Sequence, residues 1–318
     1  MTRRRKKMAR KEKKLKDVYQ EFLLEHRAKN TSKKTLATYE IHLNSFFKMA
    51  LCDELPSMFI DKSFYLYFIE ELQEEGTKKD TTIASYCRSV RAFFYWCMDN
   101  GYMESDKLDI PKFDKTIKQV YTDTEIAKLL EQPPKGCSEV TYQTWVFVNL
   151  IMSTGLRVSS ALDLKVSDFV KKENLLYIQH TKQRTGQQIY LNAEMSSILS
   201  KYIKQFDLDD EDYIFCIATR KRMALRTMQD NVATFNRSRG VQKTSIHLMR
   251  HTFAKNYYTQ TKDIYALQQI LGHSMISTTE HYIRGLGLSV SNSTAYNPQA
   301  MYTQKQTSSN QKRRKRTM

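Results

Sequence analysis

The sequence predicts a mainly α-helical protein of two domains, with a small antiparallel β-sheet confined to the second. Three observations carry that prediction. The 318 residues are enough for two domains with a core each. Apolar residues recur at helical spacing through both halves of the chain. A single segment, around residues 175–191, is β-rich instead.

A basic arm, residues 1–16 ("MTRRRKKMARKEKKLK"), comes first. "DVYQEFLLEHRAK" then sets Val18, Phe22 and Leu23 at helical spacing, and "TLATYEIHLNSFFKMAL" places Tyr39, Leu43, Phe46, Phe47 and Ala50 on one face. "SFYLYFIEELQEEG" is a third helix, stopped by Gly76. The fourth, "TTIASYCRSVRAFFYWCMDNGY", carries a stripe from Ile83 through Tyr86, Val90, Phe93 and Phe94 to Cys97. Thr81 or Thr82 is placed to cap its start, and Asn100-Gly101 to end it. Four such helices make a small all-α domain, residues 17–103, whose aromatic stripes are core packing. Residues 104–120 are polar, contain Pro111 and lack a sustained period, as an inter-domain linker does.

The second domain is expected over residues 121–287. "TDTEIAKLLEQ" is a short helix capped by Thr122 or Asp123, and "TYQTWVFVNLIMSTGL" a buried one reaching Gly155. Two β-rich runs, Leu175–Thr181 and Gln187–Leu191, flank a polar turn with Lys182 and Arg184 at its tip. "EMSSILSKYIKQF", "TMQDNVATFNRSRG", "HLMRHTFAKNYYTQ", "DIYALQQILGH" and "STTEHYI" return to helix. Residues 288–318 are rich in Ser, Asn, Gln and Thr and end in "QKRRKRTM"; they read as a tail, disordered in the free protein or used in trans.

Composition narrows the function classes. A hydrophobic fraction of 41% and a charged fraction of 27% fit a folded, soluble chain. The net charge of +17 favours a polyanionic partner, nucleic acid before an anionic membrane surface. No apolar run nears the ~20 residues that cross a bilayer, and the N-terminus has no secretory pattern, so a cytoplasmic protein is expected. Five scattered cysteines without a C-x-x-C read as reduced thiols and argue against a zinc site.

Three fragments hold candidate chemistry. "STGLRVSSALDL" puts Arg157 at the start of a helix, where its planar fork suits a phosphate. "HLMRHTF" sets His247 and Arg250 at i and i+3, so a guanidinium and an imidazole share one helical face. A metal reading fits poorly there, because Arg250 repels a cation and no carboxylate or H-E-x-x-H partner is in view. "LQQILGHSMISTTEHYI" supplies His273 and, nine residues on, Tyr282, a phenol that needs cationic help to act as a nucleophile near pH 7. Taken singly, each has a plainer reading: an exposed Arg, a solvated helix face, one core tyrosine among 19.

Taken together, they are more specific. Arg157, Lys182, "HLMR", "LGH" and "HY" keep the order and approximate spacing of the tyrosine recombinase (phage integrase) family. "TGLRVSSALDL", "HLMRHTFA" and "LGHSMISTTEHYI" closely resemble its two conserved boxes, so the resemblance covers about Tyr121–Arg284. The helical half is similar to the family's N-terminal core-binding domain in layout only. The resemblance implies that Tyr282 attacks a backbone phosphate, forming a 3′-phosphotyrosyl link and freeing a 5′-hydroxyl. It implies that Arg157 and Arg250 clamp the non-bridging oxygens, that His247 assists removal of the phenol proton, that Lys182 protonates the leaving oxygen, and that His273 hydrogen-bonds the phosphate. No metal, ATP or other cofactor is implied.

Two details depart from the family. Ser160 stands three residues after Arg157, where an acidic residue is usual, and Arg184 shares the hairpin tip with Lys182. His251 and His281 are read as structural neighbours. The expected function is a site-specific recombinase, the integrase or transposase of a mobile element. The alternatives are a chromosome-dimer-resolving or inverting recombinase, a type IB topoisomerase, or a catalytically silent DNA-binding protein. The silent reading predicts loss of Tyr282, Arg157 or Arg250, and all three are present. Expected partners are double-stranded DNA recombination sites, further copies of the chain as a tetramer in the synapse, and accessory DNA-bending proteins. No membrane partner is expected, and the place of action is the nucleoid. "IRGLGLSV", the apolar stretch after Tyr282, is expected to dock on an adjacent protomer.

Overall fold

A computed structural model describes residues 13–113, 119–179 and 186–288. The chain divides into two compact units between residues 114 and 115.

The first unit contains α1 (Leu15–Ala28), α2 (Lys33–Ala50), α3 (Lys62–Glu74) and α4 (Asp80–Asp99). Their stripes meet in an aromatic core. Phe22, Phe46, Phe68, Phe93 and Phe94 are fully buried, and Phe46 meets Phe68 and Phe94 edge-on at 5.3 and 5.4 Å. Ser32 and Asp61 cap α2 and α3 by accepting the N–H groups of Thr35 and Ser63. Neither Thr81 nor Thr82 caps α4. That helix begins one residue earlier, at Asp80, whose charge suits the positive helix end, after an extended Lys79.

The last residues of the basic arm belong to this unit. Leu15 is fully buried, Lys14 pairs with Glu54 at 2.8 Å, and Lys13 and Lys16 pair with Glu21 and Glu54. Beyond α4 the chain stays attached as well. Leu108 is buried, and Tyr65 Oη donates to the Asp109 carbonyl at 3.1 Å.

The second unit is built around α6 (Glu139–Thr154), which packs against α5 (Asp123–Leu130), α8 (Ala193–Gln205), α9 (Leu225–Ser238) and α10 (Ile246–Thr261). That central place explains why α6 is apolar on nearly every side. Thr122 and Glu125 form a reciprocal capping box at α5. The expected hairpin is β2 (Leu175–Ile178) and β3 (Gln187–Tyr190), antiparallel with Leu176 opposite Ile189. A third strand, β1 (Phe169–Val170), pairs with β2. At two residues it is too short to leave a period in the sequence.

The remaining α-helices of the second unit are α7 (Val158–Leu162), α11 (Ile264–Leu271) and α12 (Ile276–Arg284). Ile283 and Leu286 are buried against Ala254, Tyr258, Leu267 and Leu271. Ile283 lies in the last turn of α12, and Leu286 carries its apolar stripe just past the helix end. These two residues pack within their own chain, and residues 289 and 290 of the same stretch lie outside the described residues.

Gly155 ends α6 in the left-handed region, at φ +64°. A Cβ there would lie 2.3 Å from Phe253 Cδ1. Gly155→Ala combines left-handed strain with overpacking and is expected to lower stability by ~3 kcal/mol, read as a fall in melting temperature. An unchanged melting curve would show that Phe253 can move aside freely.

Candidate active site

The site grows from three helix ends. Arg157 is the extended residue before α7, two positions after Gly155, and its Nη2 reaches the Gly272 carbonyl at 3.5 Å. Arg250 lies in the second turn of α10 and is 4% exposed. Its Nη1 donates to the Gly155 carbonyl at 2.6 Å and its Nη2 to the Leu271 carbonyl at 2.8 Å. One guanidinium is thus held between the C-terminal ends of α6 and α11, where helix carbonyls are unpaired and carry partial negative charge. Burial lowers its basicity to about 10, and the nearby Arg157 adds to that; burial also lowers Arg157.

Gly272 closes α11 with φ +58°, and this reversal delivers His273. The His273 N–H donates to the Gln268 carbonyl, its own carbonyl accepts from Gln268 Nε2, and its Nδ1 lies 3.0 Å from the buried Thr279 hydroxyl. Burial first, then Arg250 and Arg157, push its pKa down to about 4, so the imidazole is neutral near pH 7.

Tyr282 projects from α12 into the same place. Its ring lies 4.8 Å from that of His251 and 5.7 Å from that of His273. Burial pushes the phenol up to about 12, while the charge and hydrogen bonding of Arg250, and the charge of Arg157, pull the other way. The two guanidiniums and the phenol are therefore electrostatic neighbours. His247 is exposed one turn before His251, the two rings 4.4 Å apart. Beside them a groove of about 620 Å³ is lined by Arg157, His247 and Arg250, with Arg226 and Arg237 of α9.

Five of the six candidate residues, Arg157, His247, Arg250, His273 and Tyr282, thus gather in one region. Lys182 lies outside the described residues. His281 is exposed and turned to the Ser277 carbonyl at 2.6 Å. His251 is more intimate with the site than its reading as a flanking residue implied, since its buried ring sits between those of His247 and Tyr282. The i, i+4 spacing from His247 was the available signal. Ser160 is buried and borders a polar cavity of about 370 Å³ with Asp163 and Asp168. The Asp168 carboxylate there accepts from the Lys165 N–H and Gln179 Nε2. Among the described residues no three His, Cys, Asp or Glu side chains form a metal-binding group, and no helix is long and apolar enough to cross a membrane.

Known proteins with the same features fall in one family. The family described as "Phage integrase family" matches residues 119–286, and "Phage integrase, N-terminal SAM-like domain" matches residues 16–101. Tyrosine recombinase XerA of Pyrococcus furiosus is 26% identical over 271 residues, spanning 84% of this chain and 89% of the relative. Tyrosine recombinase XerC of Leptospira interrogans is 26% identical over 266 residues, 80% of this chain and 84% of the relative. Among solved structures, XerH recombinase bound to a palindromic difH substrate aligns with a TM-score of 0.66 at 21% identity, over 80% of this chain and 77% of that one. The Tn1549 transposon integrase with circular intermediate DNA aligns at 0.67 and 20% identity, over 85% and 94%. Those two likenesses are ones of fold. With a family match over more than half its length, this chain belongs to the phage integrase family, the tyrosine recombinases, which cleave and rejoin DNA.

Proposed function

We propose that this chain is a site-specific recombinase that cleaves and rejoins duplex DNA through a 3′-phosphotyrosyl intermediate formed on Tyr282. The observation that carries this reading is the convergence of the Arg157 and Arg250 guanidiniums on the Tyr282 phenol. A phosphodiester placed among them meets a nucleophile and two planar sets of donors at once. The non-bridging oxygens gain negative charge in the transition state, and fixed cationic donors in a water-poor site stabilise that charge. The phenol oxygen forms a bond to phosphorus as the bond to the 5′-oxygen breaks. The phenol proton passes to His247, Lys182 gives a proton to the departing 5′-oxygen, and neutral His273, oriented by Thr279, donates to a phosphate oxygen. A 5′-hydroxyl from a second strand then attacks the phosphotyrosyl link, and the bond count is restored without an external energy source.

The arrangement of partners follows from symmetry. A palindromic site, like the one in the XerH complex, matches two protomers related by a two-fold axis, and exchange between two duplexes uses four. The helical unit, residues 17–103, adds its own contacts to the duplex, and DNA-bending proteins assist synapsis. The net charge of +17 and the basic runs at both ends favour service to a mobile element. The XerA and XerC relatives favour chromosome-dimer resolution as a second reading.

Labelled duplexes separate the two. One set carries the junctions of the element flanking the gene, the other the host's dimer-resolution site. Adduct formation and strand exchange on the junctions are expected. Exchange confined to the chromosomal site would favour the second reading, and no adduct on either would remove both.

A further inference from the structure

Four successive carbonyls at the C-terminal end of α11 each accept from a side chain elsewhere in the second unit. Gln187 Nε2 donates to the Gln269 carbonyl at 2.7 Å and the Ile270 carbonyl at 2.8 Å. The Leu271 carbonyl holds Arg250 and the Gly272 carbonyl holds Arg157. A neutral amide thus occupies the first two carbonyls, and the two guanidiniums of the candidate clamp occupy the next two. Gln187 opens β3, so this contact ties the sheet to the helix end on which both arginines lean. The approach is close. A Cβ on Gly272 would lie 3.0 Å from Gln187 Oε1 and 3.5 Å from Arg157 Nη1, so the amide and the guanidinium flank the same glycine.

We propose that Gln187 is a positioning residue for strand cleavage: by fixing the first pair of α11 carbonyls it sets the second pair, and with them the geometry of Arg157 and Arg250. This rests on the reading of those arginines as the phosphate clamp. The side chain suits its task chemically. It offers donors to a helix end that lacks them, without adding a third positive charge beside two that already repel. A carboxylate in its place would face the carbonyls with no donor.

The test is single-turnover cleavage by the full chain on two duplexes of the same sequence. One has a natural phosphodiester at the scissile position, the other a neutral methylphosphonate. The methylphosphonate lacks the charge that the guanidiniums neutralise, so a misplaced clamp matters less to it. Gln187→Met, close in shape but without donors, is expected to slow phosphodiester cleavage by about ten- to a hundredfold and methylphosphonate cleavage by less than about threefold. DNA affinity and melting temperature stay near wild type, and Gln187→Glu gives a larger loss on the phosphodiester. Wild-type rates in Gln187→Met, or equal losses on both duplexes, overturn the proposal. Arg250→Ala run in parallel locates a failure. If its loss shrinks on the methylphosphonate while that of Gln187→Met does not, the positioning role alone falls. If the Arg250→Ala loss does not shrink either, the clamp reading falls, and the positioning role with it.

Discussion

Tyr282→Phe is expected to abolish the covalent protein–DNA adduct while leaving DNA binding intact. The substitution removes one oxygen and keeps the ring that packs beside His251 and His273. Tyr282 is the phenol that couples to both guanidiniums, so the loss should exceed about a thousandfold. The readout is denaturing electrophoresis of end-labelled duplex after incubation, with a binding measurement alongside. An adduct of undiminished yield in this variant would place the nucleophile elsewhere. The melting temperature should move little, since a phenol in this setting gains little from burial that a phenyl ring would lose.

Arg250→Ala is expected to reduce the cleavage rate by about a hundred- to a thousandfold, the scale of removing a preorganised donor to a developing oxyanion. Arg250→Lys should rescue little of it. The guanidinium spans two carbonyls, Gly155 and Leu271, on different helix ends and still presents its remaining edge to the site. A single ammonium on a flexible stem cannot reproduce that fork. Single-turnover cleavage of a nicked duplex, which traps the adduct, gives the rate. A loss smaller than about tenfold in both variants would mean that Arg157 suffices alone.

Much of this was legible from the chain. The four aromatic stripes of the first unit appear as helices because a 3.6-residue period survives in a linear sequence, and Thr122 announces α5 through its capping box. The candidate site residues stood out for a different reason. Ordered fragments such as "HLMRHTFA" and "LGHSMISTTEHYI" match a family, though no single fragment would have sufficed. Contacts between distant elements were not legible. The bond from Gln187 to Ile270 spans 83 residues and that from Arg250 to Gly155 spans 95, and neither leaves a local pattern. Strand β1 was too short to show a period, and Lys79 rather than a threonine precedes α4 because the helix gains an extra acidic residue at its start. His251 was underrated because its neighbour Tyr282 is remote in sequence.

The state of Tyr282 bears on how such a protein coexists with a genome. Its hydroxyl oxygen is closed to solvent and its proton is held up to about pH 12. A chain with so strong a positive charge meets phosphodiesters everywhere, almost all of them wrong. If Tyr282 is the nucleophile, a phenol that keeps its proton at rest would turn most of those encounters into harmless collisions. Fidelity would in that case begin before any base is read, in a phenol that keeps its proton until a substrate meets it.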